Sequence, residues 1–250
     1  VVAAGMAVLA KIAARFGHEF DFSEAIIGGA AIDHCGDPLP AESLALCRTA
    51  DAILLGAVGG PKWSDPNAPV RPEQGLLKLR KELGLYANLR PVTVHPDLMD
   101  LAPVKADRLK GVDLLVVREL TGGIYFGEKR REGDTAFDGC SYTVSEVERV
   151  VRLAARLATK RKGRLTQVDK ANVLETSRLW RQVTSRVIAD EFPGIELEHQ
   201  LVDSMAMHLI AKPAAYDVIV TENLFGDILT DEAALLAGSL GLLPSASLGD

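Results

Sequence analysis

Val112-Asp113-Leu114-Leu115-Val116-Val117 is a short apolar run broken by a single acid. It is too short for a stable helix and has the aliphatic, β-branched make-up of a strand covered on both faces. Leu165-Thr166-Gln167-Val168, Val218-Ile219-Val220-Thr221 and Ala52-Ile53-Leu54-Leu55-Gly56-Ala57-Val58 read in the same way. Between these runs lie longer amphipathic stretches at 72–83, 145–160, 177–191 and 225–237, where the apolar spacing predicts helices. Short buried strands alternating with amphipathic helices define an α/β fold. A further helix is predicted over 1–16, where Val1, Val2, Met6, Leu9, Ile12, Ala13 and Phe16 recur near the 3.6-residue period. No capping residue precedes it, and 242–250 stops without a closing element, so the chain reads as a segment of a longer one at both ends.

At 250 residues, the chain suits one large domain or two modest ones. Thirty-four acids against 28 bases give a net charge of −6, which argues against nucleic acid or an anionic membrane surface as the main partner. The longest charge-free stretch, 233–249, falls short of the ~20 residues of a membrane span and contains Gly238, Gly241 and Pro244. Lys11 and Arg15 interrupt the first apolar segment and speak against a signal peptide. Cys35, Cys47 and Cys140 form no CxxC spacing, so neither a disulfide framework nor a cysteine zinc site is indicated, and a reducing, cytoplasmic setting is expected.

Residues 122–142 combine glycines and charges with Tyr125, Phe126, Phe137 and Tyr142. A solvated loop is the plainer reading, and a projecting β-arm that pairs with another subunit is the second. The basic cluster Arg152, Arg156, Lys160, Arg161, Lys162 and Arg164 closes a helix, where cations suit the dipole. No GxGxxG is present, so the usual dinucleotide fingerprint gives no support for a nucleotide site.

Asp227 and Asp231, four residues apart, place two carboxylates on one helix face about 6 Å apart, where a hard divalent cation would relieve their repulsion. Such a pair in isolation is more often a solvated acidic face. Asp203, after Leu201-Val202 and before a methionine-rich stripe, is a third candidate ligand or a helix N-cap. Lys170 follows a strand run directly, a position from which α/β folds present groups to ligands, and a lysine in a cation-rich site can serve as a base. Arg80, Arg90 and Arg118 could hold the carboxylates of a small acid by bidentate pairs, or make surface ion pairs. Glu73, Leu76, Leu77 and Arg80 share one helix face, and an ordinary core stripe would also account for the leucines.

Six stretches carry a resemblance: Gly28-Gly29-Ala30-Ala31-Ile32-Asp33, Leu55-Gly56-Ala57-Val58-Gly59-Gly60-Pro61-Lys62-Trp63, Ala87-Asn88-Leu89-Arg90-Pro91, Arg118-Glu119-Leu120-Thr121-Gly122-Gly123-Ile124-Tyr125-Phe126-Gly127, Asp169-Lys170-Ala171-Asn172-Val173-Leu174 and Asn223-Leu224-Phe225-Gly226-Asp227-Ile228-Leu229. Together they resemble the 3-isopropylmalate dehydrogenase family, in the family's order from end to end. The resemblance implies a two-domain fold with three-layer α/β/α packing, distinct from a Rossmann fold. Residues 1–85 would form part of the first domain, 86–236 the second, dimerising and metal-binding domain with the arm at 122–142, and 237–250 a return into the first.

It further implies Tyr125 and Lys170 as the catalytic pair and Asp203, Asp227 and Asp231 as ligands of Mg²⁺ or Mn²⁺. Arg80, Arg90 and Arg118 would bind substrate carboxylates, with Asp203 beside them; Leu76, Leu77 and Val173 would line the isopropyl pocket, and Glu73 would act as its specificity acid. Asn172 would lie toward the nicotinamide, with the other NAD contacts outside this sequence. Members act as homodimers with shared sites, so Lys170 and Asp203 would act in trans. The implied reaction is NAD-dependent oxidative decarboxylation of (2R,3S)-3-isopropylmalate to 4-methyl-2-oxopentanoate, in leucine biosynthesis. The alternatives are a sister enzyme for tartrate, 3-methylmalate or homoisocitrate, and an inactive piece that only binds metal and dicarboxylate or dimerises.

Overall fold

The computed structural model describes residues 2–65 and 67–250 and divides into two compact units, 1–83 and 84–250. In the first unit lie α1 (Val2–Phe16), α2 (Gly29–Cys35), α3 (Ala41–Thr49) and α4 (Pro72–Glu82). The predicted first helix is present, although Val1 lies outside the described residues, and none of its residues is buried. Leu39, Leu44 and Leu79 form a small core, with Ile27, Cys47 and Leu83 packed against it. Gly75 of α4 is required there, because an added Cβ would stand 2.3 Å from the Pro38 carbonyl oxygen.

One expected strand is absent. Residues 52–58 adopt no strand, and Ile53, Leu54 and Leu55 are 41%, 50% and 40% exposed. A strand needs a neighbouring strand to satisfy its backbone, and among the described residues of this unit none is formed. Apolar composition supplied the propensity without the partner.

The second unit holds β1 (Ala87–Thr93), α5 (Ala106–Leu109), β2 (Asp113–Glu119), β3 (Lys129–Glu132), β4 (Thr135–Asp138), α6 (Val144–Thr159), β5 (Arg164–Asp169), α7 (Glu175–Glu191), β6 (Glu196–Leu201), α8 (Val202–Ala211), β7 (Val218–Thr221), α9 (Asn223–Ala234) and β8 (Ala246–Leu248). Its main sheet runs β6-β5-β7-β2-β1-β8. The first four of these are parallel, while β1 is antiparallel to both β2 and β8. Leu115 and Val117 of β2 face a core built with α6 and α7, whereas Leu114 and Val116 face a second core built with Met205, Leu209, Leu229 and Ala233 of α8 and α9. The unit is therefore a three-layer α/β/α sandwich. Among the described residues no helix is long and apolar enough to cross a membrane.

Local chemistry fixes the connections. Thr143 and Glu146 form a reciprocal capping box that starts α6. At the other end of that helix the basic cluster is tied into the sheet as well as placed on the dipole. Arg161 donates to the buried Asp217 at 2.8 Å, and the Lys162 and Arg164 amides donate to the same carboxylate at 2.9 and 3.3 Å. Asp217→Asn keeps acceptor oxygen but removes the charge, so a loss of about 1–3 kcal/mol of stability is expected in thermal or urea unfolding.

Residues 122–142 contain a hairpin, β3 with β4, exposed along its whole length. Gly133, at φ +56°, supplies the positive φ that a two-residue hairpin turn demands. The final strand, within the stretch 237–250, lies against β1 in the second unit.

Candidate active site

Parallel strands β2, β5, β6 and β7 end at one edge of the sheet, where the antiparallel β1 begins, since Asn88 is paired with Arg118. Ligands of open α/β sheets bind beyond this carboxyl edge. Side chains alternate along β2, so Arg118 shares the α9 face with Leu114 and Val116.

Arg118 is 3% exposed, and a buried guanidinium must be paired. Its Nε and Nη2 donate to Asn223 Oδ1 at 3.1 and 2.9 Å, and Nη1 donates to Asp227. Asn223 and Asp227 lie one turn apart on α9, which the buried Glu222 caps by accepting from the Phe225 amide at 2.8 Å. The aliphatic stem of Arg118 rests against Gly226, where an added Cβ would lie 2.5 Å from Cγ and 2.8 Å from Cβ. Gly226→Ala should therefore displace Arg118 and cost about 1–3 kcal/mol by overpacking, visible as a lower melting temperature together with a raised substrate KM.

Tyr125 donates its hydroxyl to Asp227 Oδ2 at 2.7 Å, and the Arg118 guanidinium carbon stands 5.6 Å from the centre of its ring. Burial first, and the Asp227 carboxylate second, push the Tyr125 phenol up to about 12, so it is protonated at neutral pH and can donate. Arg90, on β1, donates from Nε to Asn88 Oδ1 at 2.9 Å. Burial and the neighbouring Arg118 hold Arg90 below the usual arginine range, while Asp231 and Asp227 act in the opposite direction. Arg90, Arg118, Tyr125, Asp227 and Asp231 thus form one cluster.

A second group sits at the ends of β5 and β6. Lys170 Nζ donates to Asp203 Oδ1 at 2.6 Å, and this ion pair holds the Asp203 carboxyl below the usual carboxylate range. The sequence offered Asp203 as an N-cap, but the cap of α8 is Leu201 and Asp203 stands inside the first turn. The stripe after it is not wholly core either, with Met205 buried and Met207 64% exposed. The turn carrying Lys170 is anchored by Asp169, whose carboxylate accepts from the Ala171 amide and from both Nε and Nη2 of Arg181. Asn172 and Val173 lie exposed on the same turn.

Among the described residues, no hydrogen bond or ion pair joins the two groups. Among the described residues no three His, Cys, Asp or Glu side chains are close enough to hold one metal ion. Glu73, Leu76, Leu77 and Arg80 belong to the first unit, on α4. Glu73 is exposed and the two leucines are half-buried outside the Leu39-Leu44-Leu79 core, so the core-stripe explanation of this face does not hold.

Sequence reasoning gave Asn223 no role, although it stands four residues before Asp227 and eight before Asp231 on one helix face, a spacing that would have flagged it. Tyr142 was also missed. Its buried hydroxyl bridges Glu222 (3.2 Å) and the Asn223 amide (3.0 Å).

The family model described as isocitrate/isopropylmalate dehydrogenase matches residues 1–250. The chain belongs to the isocitrate/isopropylmalate dehydrogenase family. It is 62% identical over 247 residues to the 3-isopropylmalate dehydrogenase of Rhodopirellula baltica, covering 97% of this chain and 69% of that one. Among solved structures, the TT0538 protein of Thermus thermophilus superposes with a TM-score of 0.83 at 27% identity, over 96% of this chain and 47% of that chain. The isocitrate dehydrogenase of Methylococcus capsulatus gives a TM-score of 0.75 at 34% identity, over 93% of this chain and 67% of that chain. The chain thus spans about two thirds of its curated relative and about half of the Thermus protein.

Proposed function

We propose that the chain carries the substrate-binding and metal-binding part of an NAD-linked oxidoreductase that oxidatively decarboxylates 3-isopropylmalate, acting in the cytoplasm in leucine biosynthesis. The carrying observation is the single cluster in which Arg90, Arg118, Tyr125 and Asp227 meet at the carboxyl edge of the sheet, in a chain 62% identical to a 3-isopropylmalate dehydrogenase.

Arg90 and Arg118, with Arg80, bind the two carboxylates of the malate core. Leu76, Leu77 and Val173 receive the isopropyl group, worth roughly 1.5–3 kcal/mol of apolar burial, and Glu73 screens the alternatives. Lys170, with its amine free of a proton, accepts the C2 hydroxyl proton, and NAD, when bound, would supply the acceptor for the C2 hydride. The bond from C3 to its carboxyl group then breaks with release of CO₂, and Tyr125, held protonated, directs a proton to C3.

Asp227 and Asp231 are hard oxygen donors one helical turn apart, and with Asp203 they suit Mg²⁺ or Mn²⁺ in charge and donor type. A divalent cation held there would supply positive charge to offset the negative charge that develops on the substrate oxygens. The ion pair Lys170–Asp203 lies apart from the Asp227 cluster, which supports a homodimer in which each site takes Lys170 and Asp203 from the partner. Exposed Met207 and Ile210 on α8 and Ile228 on α9 are the apolar surface such a contact would cover. Asn172 is assigned toward the nicotinamide.

The test is NADH formation by the whole protein with 3-isopropylmalate and Mn²⁺, compared with tartrate, 3-methylmalate and homoisocitrate. Preference for 3-isopropylmalate is expected, and a higher kcat/KM for any of the other three would replace the substrate assignment.

A further inference from the structure

Asn223 is 1% exposed and commits every polar atom of its side chain. Oδ1 accepts from Arg118 Nε and Nη2, and Nδ2 donates to the Gly122 carbonyl at 3.1 Å. Its backbone amide donates to the Tyr142 hydroxyl at 3.0 Å, so the acceptor that meets Arg118 is itself held from two sides. A guanidinium has five N–H donors in a fixed plane. Asn223 takes one on Nε and one on Nη2, and Asp227 takes one on Nη1. One N–H on each of Nη1 and Nη2 is left.

The geometry points to Asn223 as a positioning residue for substrate binding: it fixes the plane of the Arg118 guanidinium so that the remaining Nη1 and Nη2 donors form a bidentate seat for one substrate carboxylate. The inference rests on the proposed dehydrogenase reading and names how that site holds its acid.

A single acceptor shared by two donors locks rotation about the last side-chain torsion of Arg118 more firmly than a single hydrogen bond would. Neutrality matters equally. An amide oxygen orients the cation without cancelling its charge, which Asp227 already offsets in part. An aspartate at 223 would preserve the fork but add a negative charge facing the incoming carboxylate, and it would set an oxygen against the Gly122 carbonyl.

The test uses the whole protein, with Asn223→Ala, Asn223→Asp, Arg118→Lys and the double variant N223A/R118K. Two readouts are taken: kcat and KM for 3-isopropylmalate, and solvent exchange of the Arg118 Nε–H in ¹⁵N spectra. Expected for N223A is about a tenfold rise in KM with kcat within about twofold, together with fast exchange of the Arg118 Nε–H. N223D should raise KM similarly while the Nε–H stays protected, a separation that general destabilisation would not produce. In the R118K background N223A should leave KM unchanged, because the group it orients is gone.

An unchanged KM in N223A, or an equal rise in both backgrounds, would overturn the inference. So would rapid Nε–H exchange in the wild type. Should N223A fail to fold, the wild-type exchange measurement carries the decision, because an unprotected Arg118 Nε–H shows that the fork does not hold the guanidinium. If the wild type prefers another 3-substituted malate, the substrate reading fails by itself; KM is then compared on that acid, and the exchange readout decides independently of it.

Discussion

Lys170→Ala should lower kcat by about 10²- to 10⁴-fold, the usual worth of a general base, while leaving the fold intact. Lys170 sits on a turn fixed by Asp169, Arg181 and Ser177 through the carboxylate and the backbone amide, none of which involves its ammonium group. Among the described residues it pairs with Asp203, whose side chain is 59% exposed, so loss of that ion pair is nearly neutral for stability. The more telling form of the experiment mixes two inactive variants. If Lys170 of one subunit serves the Asp227 of the other, hybrid dimers of K170A with D227N carry one site with both wild-type residues and one with neither. Random pairing then returns about a quarter of wild-type activity. If both residues act within one chain, the mixture stays inactive, and the trans assignment of Lys170 is lost.

Arg118→Ala is expected to damage affinity and stability together. Removing one member of a buried charge pair strands its partners, at about 3–5 kcal/mol when the pair is dry. Here Asn223 Oδ1 loses both donors while Asp227, whose side chain is 39% exposed, recovers water, so a loss at the lower end, about 3 kcal/mol, is expected. Substrate binding should weaken by about 10²-fold through the lost bidentate pair, read as KM for 3-isopropylmalate. A variant with unaltered KM and a lowered melting temperature would assign Arg118 to the scaffold alone.

Much of the second unit was legible because its strands are buried on both faces. Runs at 112–117, 165–168 and 218–221 became β2, β5 and β7, and the helical periods became α6, α7 and α9. What could not be read depends on neighbours. Strand β6 has a polar, half-exposed pattern that resembles no core strand, and it is held by pairing with β5. Strand β1 contains Pro91, which argues against a paired strand, yet β8 covers only Ala87 to Leu89 and leaves the Pro91 side of β1 open. The stretch 52–58 erred in the opposite direction, with strand composition and no partner.

In the site, acids and arginines announce themselves by type and spacing. Which acceptor orients which donor is a property of packing, as Asn223 and Gly226 show. Both stand in the motif, and neither has a titratable group to draw attention to it.

Strand β8 joins the sheet through three residue pairs, with Asn88 reaching across to Ser245, Ala246 and Ser247, 157 to 159 positions along the chain. Three pairs supply few hydrogen bonds and Ala246 and Leu248 are exposed, so β8 opens early. Deuterium should therefore enter the amides of 246–248 well before those of β2, and the β1 edge that carries Arg90 should be the part of this sheet that breathes without global unfolding.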